Sequence, residues 1–148
     1  MIKSLYWRIN FFLKRQKSKQ IRKKLGSNVQ SIIVNSKNGI LAMDPEDLEV
    51  GHQLRVNGSF GLSEISRINK LVDENSNVLI VGGHIGSLAI PVSKFVNKCT
   101  VIEASPKTYE LLKTNILLND CDNITAHNIA ASDAKGNIKF QMNSVNSG

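Results

Sequence analysis

The stretch that most constrains the fold is residues 78–103. An apolar run, Val-Leu-Ile-Val at residues 78–81, enters the glycine cluster Gly-Gly-His-Ile-Gly at residues 82–86, and a later apolar run ends on Glu103. A short β-branched run before glycines is typical of a buried parallel strand, because helices cover both of its faces. Glycines let the chain turn sharply and let a ligand approach the backbone closely. The stretch therefore predicts a strand, a glycine turn, a helix and a second strand.

The same stretch predicts a nucleotide-binding site. A helix that follows the glycines directs free N–H groups and the positive end of its dipole into the turn, where they favour a polar or anionic group. Glu103 follows Gly82 by 21 positions, near the roughly 20-residue interval at which an acid binds the hydroxyl groups of a ribose. The dinucleotide pattern G-x-G-x-x-G is not met, because His84 stands where its second glycine would be. A doubly wound fold without a cofactor remains the alternative interpretation.

The length and composition predict one globular domain. The chain has 148 residues, 41% of them hydrophobic and 21% charged, values typical of a globular protein with a single core. No apolar run approaches the roughly 18 residues that a membrane span needs, and no signal peptide is predicted. Cys99 and Cys121 stand apart without metal-ligand spacing, which favours free thiols in a reducing compartment. We therefore expect a cytoplasmic location, with or without peripheral membrane contact, and no metal site.

The positive charge is concentrated in one segment. Nine of the 19 Lys and Arg residues lie within residues 1–26, which contain no Asp or Glu, whereas the remainder of the chain is mildly acidic. Scattered apolar residues without glycine or proline before Gly26 predict a moderately amphipathic helix. This helix could pack its aromatic side on the body, lie on an anionic membrane surface, or bind nucleic acid. We favour packing, and we rank membrane contact ahead of nucleic acid.

Before the glycine cluster, the sequence predicts a cap on the sheet. Two short apolar runs flank residues 36–39 (Ser-Lys-Asn-Gly), and Asn-Gly between such runs is a strong hairpin signal. An irregular link is expected next, followed by a helix over residues 62–73 with Ser63 as its N-cap. Three polar residues of this cap are predicted to be scaffold, as such residues more often are than catalytic: Asp47, His52 and Glu64.

After the glycine cluster, the sequence predicts a crossover helix, a second strand, another helix and a third strand. Pro91 is tolerated near the start of the crossover helix, where its missing N–H costs little. Ser105 and Pro106 are expected to begin the next helix, as its N-cap and its first helical residue. Residues 124–130 are predicted to form the third strand, and residues 138–142 alternate polar and apolar side chains.

Several motifs together resemble the FkbM-type family of S-adenosylmethionine-dependent methyltransferases. They lie within residues 29–148 and comprise the hairpin, the glycine loop, Glu-Ala-Ser-Pro at residues 103–106, Asn115 with Asn119 on one helix, and residues 130–136. The resemblance implies an α/β fold: the Rossmann-like half-sheet of a class I methyltransferase, with parallel strands and crossover helices. In this interpretation, residues 1–27 form the basic helical segment, and residues 28–148 form the methyltransferase domain with its hairpin cap.

The resemblance also implies S-adenosyl-L-methionine as the cofactor. The residues that would line its methionine part are Gly82, Gly83, His84 and Gly86. Glu103 would bind the ribose, and Asp133 would face the adenine. The family usually has an Asp where this chain has Ile80, so one partner of the cofactor's amino group is absent.

The implied reaction is O-methyl transfer to a small-molecule or glycan acceptor, with no catalytic residue identified. The family's later Asp-x-Glu-Gly block does not occur before Gly148. We therefore expect an incomplete domain that holds the cofactor, self-associates through an exposed sheet edge and does not turn over by itself. The alternative is a non-catalytic fragment that binds a membrane or nucleic acid through residues 1–26.

Overall fold

The structure is a computed structural model and describes residues 2–133 and Gly136. Its elements in chain order are α1 (Ile2–Leu25), β1 (Ile32–Ser36), β2 (Gly39–Met43), α2 (Val50–Asn57), α3 (Leu62–Asn69), β3 (Asn77–Val81), α4 (Ala89–Ser93), β4 (Lys98–Ile102), α5 (Pro106–Leu118) and β5 (Ile124–His127). The predicted alternation over residues 138–142 lies outside the described residues.

Three parallel strands form the sheet that carries the predicted site. The strand order is β3-β4-β5, so β4 is central. Ile80 lies beside Val101, and Val101 lies beside Ala126. α4 connects β3 to β4 and α5 connects β4 to β5, which are the crossovers that parallel strands require. The predicted Rossmann-like α/β fold is confirmed, although β5 ends at His127, before the predicted Ala130.

The two faces of this sheet differ in exposure. On one face, Ile80, Cys99 and Val101 are at most 8% exposed, and they belong to the core beneath α4 and α5. Successive strand residues point to opposite faces, so Leu79 and Val81 lie on the other face, where they are 60% and 58% exposed. Within the described residues, β3 pairs with β4 alone. A bare apolar surface therefore lies beside an unpaired strand edge.

The predicted hairpin forms, and it packs on α5. β1 and β2 pair antiparallel around a turn at residues 37 and 38. Asn115 of α5 accepts a hydrogen bond from the Ala42 N–H at 2.6 Å and donates to the Ala42 carbonyl at 2.9 Å. Asn119, one turn later, makes the same two bonds to Ile40 at 2.9 and 2.8 Å. The Asn-x-x-x-Asn pattern thus binds the edge of β2 as a neighbouring strand would.

Asparagine side chains also join the hairpin to the glycine loop. Asn115 is fully buried and donates its other amide hydrogen to the Ile85 carbonyl at 2.8 Å. Asn38 lies in the hairpin turn, donates to the carbonyls of Phe60 and Ser87 at 2.7 Å each, and accepts from the Phe60 N–H at 2.9 Å. Buried amides need such partners. These bonds therefore fix the position of the hairpin relative to the loop.

Two predictions about the cap were wrong, and a third was only partly right, because α3 ends at Asn69 and not at residue 73. Helix α2 forms where an irregular link was expected; its Gly51 packs so tightly that a Cβ there would lie 3.0 Å from the Asp47 Cβ. This glycine therefore permits close packing and does not break the chain. Helix α3 has Gly61 as its N-cap, in the left-handed conformation at φ 60°, and not Ser63. The Ser63 hydroxyl donates instead to the carboxylate of Glu64 at 2.8 Å.

The predicted basic helix forms as α1. Phe11 and Ile21 are half-buried, whereas Phe12 and Leu13 are 59% and 52% exposed, so one side of α1 contacts the body. Among the helices in the described part of the chain, none combines the length and the apolar composition that crossing a bilayer would take.

Replacing Asn115 by leucine should destabilise the fold strongly. The substitution keeps a similar volume but removes the partners of the Ala42 N–H and of the Ala42 and Ile85 carbonyls, at about 1–3 kcal/mol for each buried group. We expect the free energy of unfolding, measured in urea, to fall by about 3 kcal/mol or more. The control, Thr114→Ala on the exposed side of α5, should change it by less than about 1 kcal/mol. Equal small changes in both variants would contradict this role for Asn115.

The bare sheet face should make the chain self-associate. Exposed apolar patches and unpaired strand edges both promote association. We expect the double variant Leu79→Thr with Val81→Thr to shift the sedimentation coefficient toward that of a monomer, because threonine keeps the strand propensity and lowers the apolar area. Leu117→Thr is the control, since Leu117 is 78% exposed on α5. If the control changes the coefficient as much as the double variant does, the sheet face is not the contact.

Candidate functional site

The glycine loop turns directly after β3. The N–H groups of Gly82 and Gly83 both donate to the Ile102 carbonyl, at 2.8 and 3.0 Å, so the loop lies against the end of β4. A Cβ at Gly83 would lie 2.0 Å from Val101 Cγ1, and one at Gly86 would lie 2.9 Å from Leu112 Cδ1. A side chain at Gly83 would therefore clash with β4, and one at Gly86 would press on the side chain of Leu112 in α5.

Glu103 holds the loop in place. It is 5% exposed, and its two carboxylate oxygens accept hydrogen bonds from the backbone N–H groups of His84 and Ser105, each at 2.8 Å. A carboxylate oxygen has two lone pairs, so each oxygen retains capacity for a further donor. Glu103 is therefore a structural tie and also an available acceptor for ligand hydroxyl groups.

These residues border a cavity of about 660 Å³, which we call the loop cavity. It lies at the carboxyl ends of the parallel strands, where ligands bind in open α/β sheets. The lining residues are Val50, Phe60, Val81, Gly82, Gly83, His84, Ser87, Leu88, Ile102, Glu103, Ala104, Ile129, Ala130 and Ala131. Its size and mostly apolar lining with few polar groups are typical of a small-molecule site.

The structure brings together four of the six residues predicted for the cofactor site. Gly82, Gly83, His84 and Glu103 line the loop cavity. Gly86 is buried behind the loop against Leu112, where it permits close packing. Asp133 is exposed and lies beyond the lining residues, which end at Ala131.

His84 is held between two carboxylates. Its side chain is 12% exposed, and its Nε2 lies 3.9 Å from Oδ2 of the buried Asp47. Burial lowers the pKa of His84, and the negative charges of Asp47 and Glu103 oppose that shift. Burial has the larger effect, so the imidazole is neutral at neutral pH. Sequence analysis assigned Asp47 to the scaffold, and its Oδ1 does accept from the Glu49 N–H at 2.8 Å.

A second cavity of about 560 Å³, the cap cavity, adjoins the first. It is lined by Gln53, Phe60, Gly61, Leu62, Ser63, Glu64, Ser87 and Leu88. Phe60, Ser87 and Leu88 also line the loop cavity and therefore form a shared wall. The pKa of Glu64 is lowered by the Ser63 hydroxyl, by its own backbone N–H and by Arg67. The cap cavity thus presents an ionised carboxylate and an aromatic ring.

The cap cavity was not predicted from the sequence. The fold of α2 was not predicted, and Glu64 was assigned to the scaffold. The available signal was weak: Phe60 precedes Gly61, and Glu64 falls in the first turn of α3. Nothing local indicates that this turn lies beside Ser87, because Asn38 brings the two segments together by bonds to Phe60 and Ser87.

The two cysteines have no role in either cavity. Both are buried free thiols, as predicted. Burial and the neighbouring Cys121 raise the pKa of Cys99 to about 11, so this thiol stays protonated and unreactive at neutral pH. Among residues 2–133 and Gly136, no group of three or more His, Cys, Asp or Glu side chains could hold a metal ion.

Three solved structures illustrate the fold that this chain shares with known proteins. They are Trm5b from Pyrococcus abyssi (21% identity, TM-score 0.54), a tRNA m1G37 methyltransferase from M. jannaschii (25%, 0.53) and TYW2 from M. jannaschii in complex with AdoMet (22%, 0.53). The alignments cover 72%, 72% and 69% of this chain, which spans only 29%, 31% and 43% of those proteins. At 21% and 22% identity, the first and third show the fold alone. No curated protein matches the sequence significantly.

A family model provides the assignment. The model of the TRM5/TYW2 methyltransferase domain matches residues 55–145, more than half of the chain, and this range contains the glycine loop and Glu103. The predicted class, an S-adenosylmethionine-dependent methyltransferase, is confirmed at the level of the family. The FkbM assignment is not supported, because the matching model describes a different methyltransferase family. The chain belongs to the TRM5/TYW2 methyltransferase domain family.

Proposed function

We propose that the chain binds S-adenosyl-L-methionine in the loop cavity, as part of a methyltransferase whose acceptor is tRNA. The observation that carries this proposal is the position of Glu103. It ties the glycine loop to the end of β4 and borders a cavity of about 660 Å³, inside the range that matches the methyltransferase family. TYW2 from M. jannaschii, with the same fold, was solved with AdoMet, which supports the cofactor.

The residues of the loop cavity support a specific orientation of the cofactor. Gly82, Gly83 and His84 would contact the methionine part through their backbone, and Glu103 would accept hydrogen bonds from the ribose hydroxyls. The adenine would lie against the apolar residues 129–131, which line the cavity. This placement replaces the role predicted for Asp133, which lies outside the lining residues.

The cap cavity is the proposed place for the acceptor nucleotide. Methyl transfer requires the attacking atom to approach the methyl group on the side opposite the sulfur, so the two ligands must occupy adjoining spaces. Phe60 offers a face for stacking a base, and Glu64 offers acceptor oxygens for the N–H groups at a base edge. When bound, the cofactor supplies the methyl group, and the residues of the chain orient the two reactants.

A tRNA acceptor differs from the small-molecule or glycan acceptor that the FkbM resemblance implied. The support comes from the family match and from the M. jannaschii relative at 25% identity, which is named as a tRNA m1G37 methyltransferase. A tRNA acceptor also changes the partner expected for the basic segment, residues 1–26, because nucleic acid now ranks ahead of a membrane. The chain spans 29%, 31% and 43% of the three solved proteins, and their complete activity enters here only as part of this proposal.

Glu103→Gln should weaken binding of S-adenosyl-L-methionine about tenfold to a hundredfold in calorimetry. The amide cannot accept hydrogen bonds at both of its terminal atoms, so it loses charged bonds worth about 1.5–3 kcal/mol. Glu110→Gln is the matched control, since Glu110 is exposed and pairs with Lys113 on α5. Because Glu103 also holds the loop, the unfolding midpoint is measured in parallel. Unchanged affinity in a folded Glu103→Gln protein would remove the ribose assignment.

Phe60→Ala should weaken tRNA binding in the presence of S-adenosylhomocysteine about fivefold to a hundredfold. Loss of a stacked aromatic ring lowers the binding free energy by about 1–3 kcal/mol per base. The salt dependence of binding should stay unchanged, since no charge is removed. Phe95→Ala, at a half-buried ring that lines neither cavity, is the control. If Phe60→Ala lowers only the affinity for S-adenosylhomocysteine, the ring serves the cofactor and the acceptor assignment fails.

A further inference from the structure

Two polar residues in the C-terminal half of α1, Ser18 and Arg22, attach this helix to the body. Ser18 is 2% exposed and donates to the carboxylate of Glu46 at 3.1 Å. Arg22 donates to Glu46 and to the Val29 carbonyl, and it lies 3.7 Å from the carboxylate of Asp44. Arg22 is therefore neutralised by two acids of the loop that follows β2.

That loop also borders the proposed site. It carries Asp47, whose carboxylate lies 3.9 Å from Nε2 of His84, and His84 lines the loop cavity. The 24 residues of α1 extend for about 36 Å at 1.5 Å per residue. One end of this long helix is thus fixed within a few residues of the cavity wall.

The remaining bases of α1 are available to a partner. The exposed ones are Arg8, Arg15, Lys17, Lys19, Lys23 and Lys24, and within residues 2–133 none of them is in an ion pair. At 100° per residue, Arg8, Arg15, Lys19 and Lys23 fall within an arc of about 80°. They form a stripe, the α1 stripe, that runs through both halves of the helix. Such a stripe favours a partner with regularly spaced negative charges.

RNA fits this pattern better than a lipid surface. An interfacial membrane helix needs an apolar face along its length, but the strongly exposed apolar side chains of α1 lie in its N-terminal half, at Tyr6, Ile9, Phe12 and Leu13. The outward positions Gln16 and Gln20, which continue that face, are polar. The α1 stripe, in contrast, continues to Lys23.

We infer that α1 is an RNA-binding arm, whose stripe contacts phosphates of the acceptor RNA. This inference rests on the proposed function, because it takes the acceptor to be RNA. It adds a binding surface outside both cavities. The arm positions the acceptor and takes no part in the reaction.

Salt dependence tests the arm. The measurement is the affinity of the full chain for a tRNA transcript over a range of salt concentrations, plotted as log affinity against log salt concentration. The triple variant Arg15→Gln, Lys19→Gln, Lys23→Gln should reduce the magnitude of the slope by about 2–3, because each neutralised phosphate contributes about 0.7–0.9. Affinity at low salt should fall at least about tenfold. The matched control removes the same charge at Lys70, Lys94 and Lys98, which are exposed on the body outside both cavities. This control should leave the slope within about one unit of the wild-type slope.

Two results would overturn the arm. One is an equal change of slope in both triple variants, which would show non-specific attraction. The other is an unchanged slope; if the chain also binds phosphatidylserine vesicles at physiological salt and Phe12→Ser abolishes that binding, α1 is assigned to a membrane. Calorimetry with S-adenosyl-L-methionine on the same samples separates the two proposals. An unchanged slope with cofactor binding retained removes the arm alone, whereas loss of cofactor binding in the wild type removes the proposed function.

Discussion

The bonds of one buried amide, that of Asn115, hold the three parts of the molecule together. Its carbonyl and amino groups bind the backbone of β2, and its second amide hydrogen binds the glycine loop at Ile85. The side chain itself belongs to α5, which packs beneath the sheet. The hairpin, the helix and the loop therefore share one set of hydrogen bonds, and no member can move without leaving a polar group unpaired in the core.

Local patterns predicted the elements, and long-range contacts decided how they meet. The strand before the glycine loop, the Ser105-Pro106 helix start and the hairpin turn all follow from neighbouring residues, and the structure has each of them. The cap cavity does not follow in this way, because it depends on Asn38 reaching Phe60 and Ser87. Helix α2 was not predicted, because in the sequence Gly51 favours an irregular link. Its close contact with Asp47, which shows that the glycine permits packing, is visible only in the structure.

The family assignment shows a related limit. Two of the motifs that resemble the FkbM family, the Glu-x-x-Pro and Asn-x-x-x-Asn patterns, hold the architecture together. Glu103 ties the loop, Ser105 accepts a hydrogen bond from the Thr108 N–H at the start of α5, and Asn115 and Asn119 bind β2. Residues with these structural roles indicate the fold and the part of the domain that binds the cofactor. They do not indicate the acceptor. The sequence could therefore indicate a methyltransferase and still point to the wrong family.

The wall shared by the two cavities couples their occupancy. Phe60, Ser87 and Leu88 face both spaces, so a ligand that shifts these side chains on one side changes the shape offered on the other. Thermodynamic linkage requires such coupling to be reciprocal: if one occupant strengthens binding of the other, the second strengthens binding of the first by the same factor. Because Asn38 fixes the backbone of Phe60 and Ser87, the coupling would pass through side-chain rotamers, and it would have the same size whichever cavity is filled first.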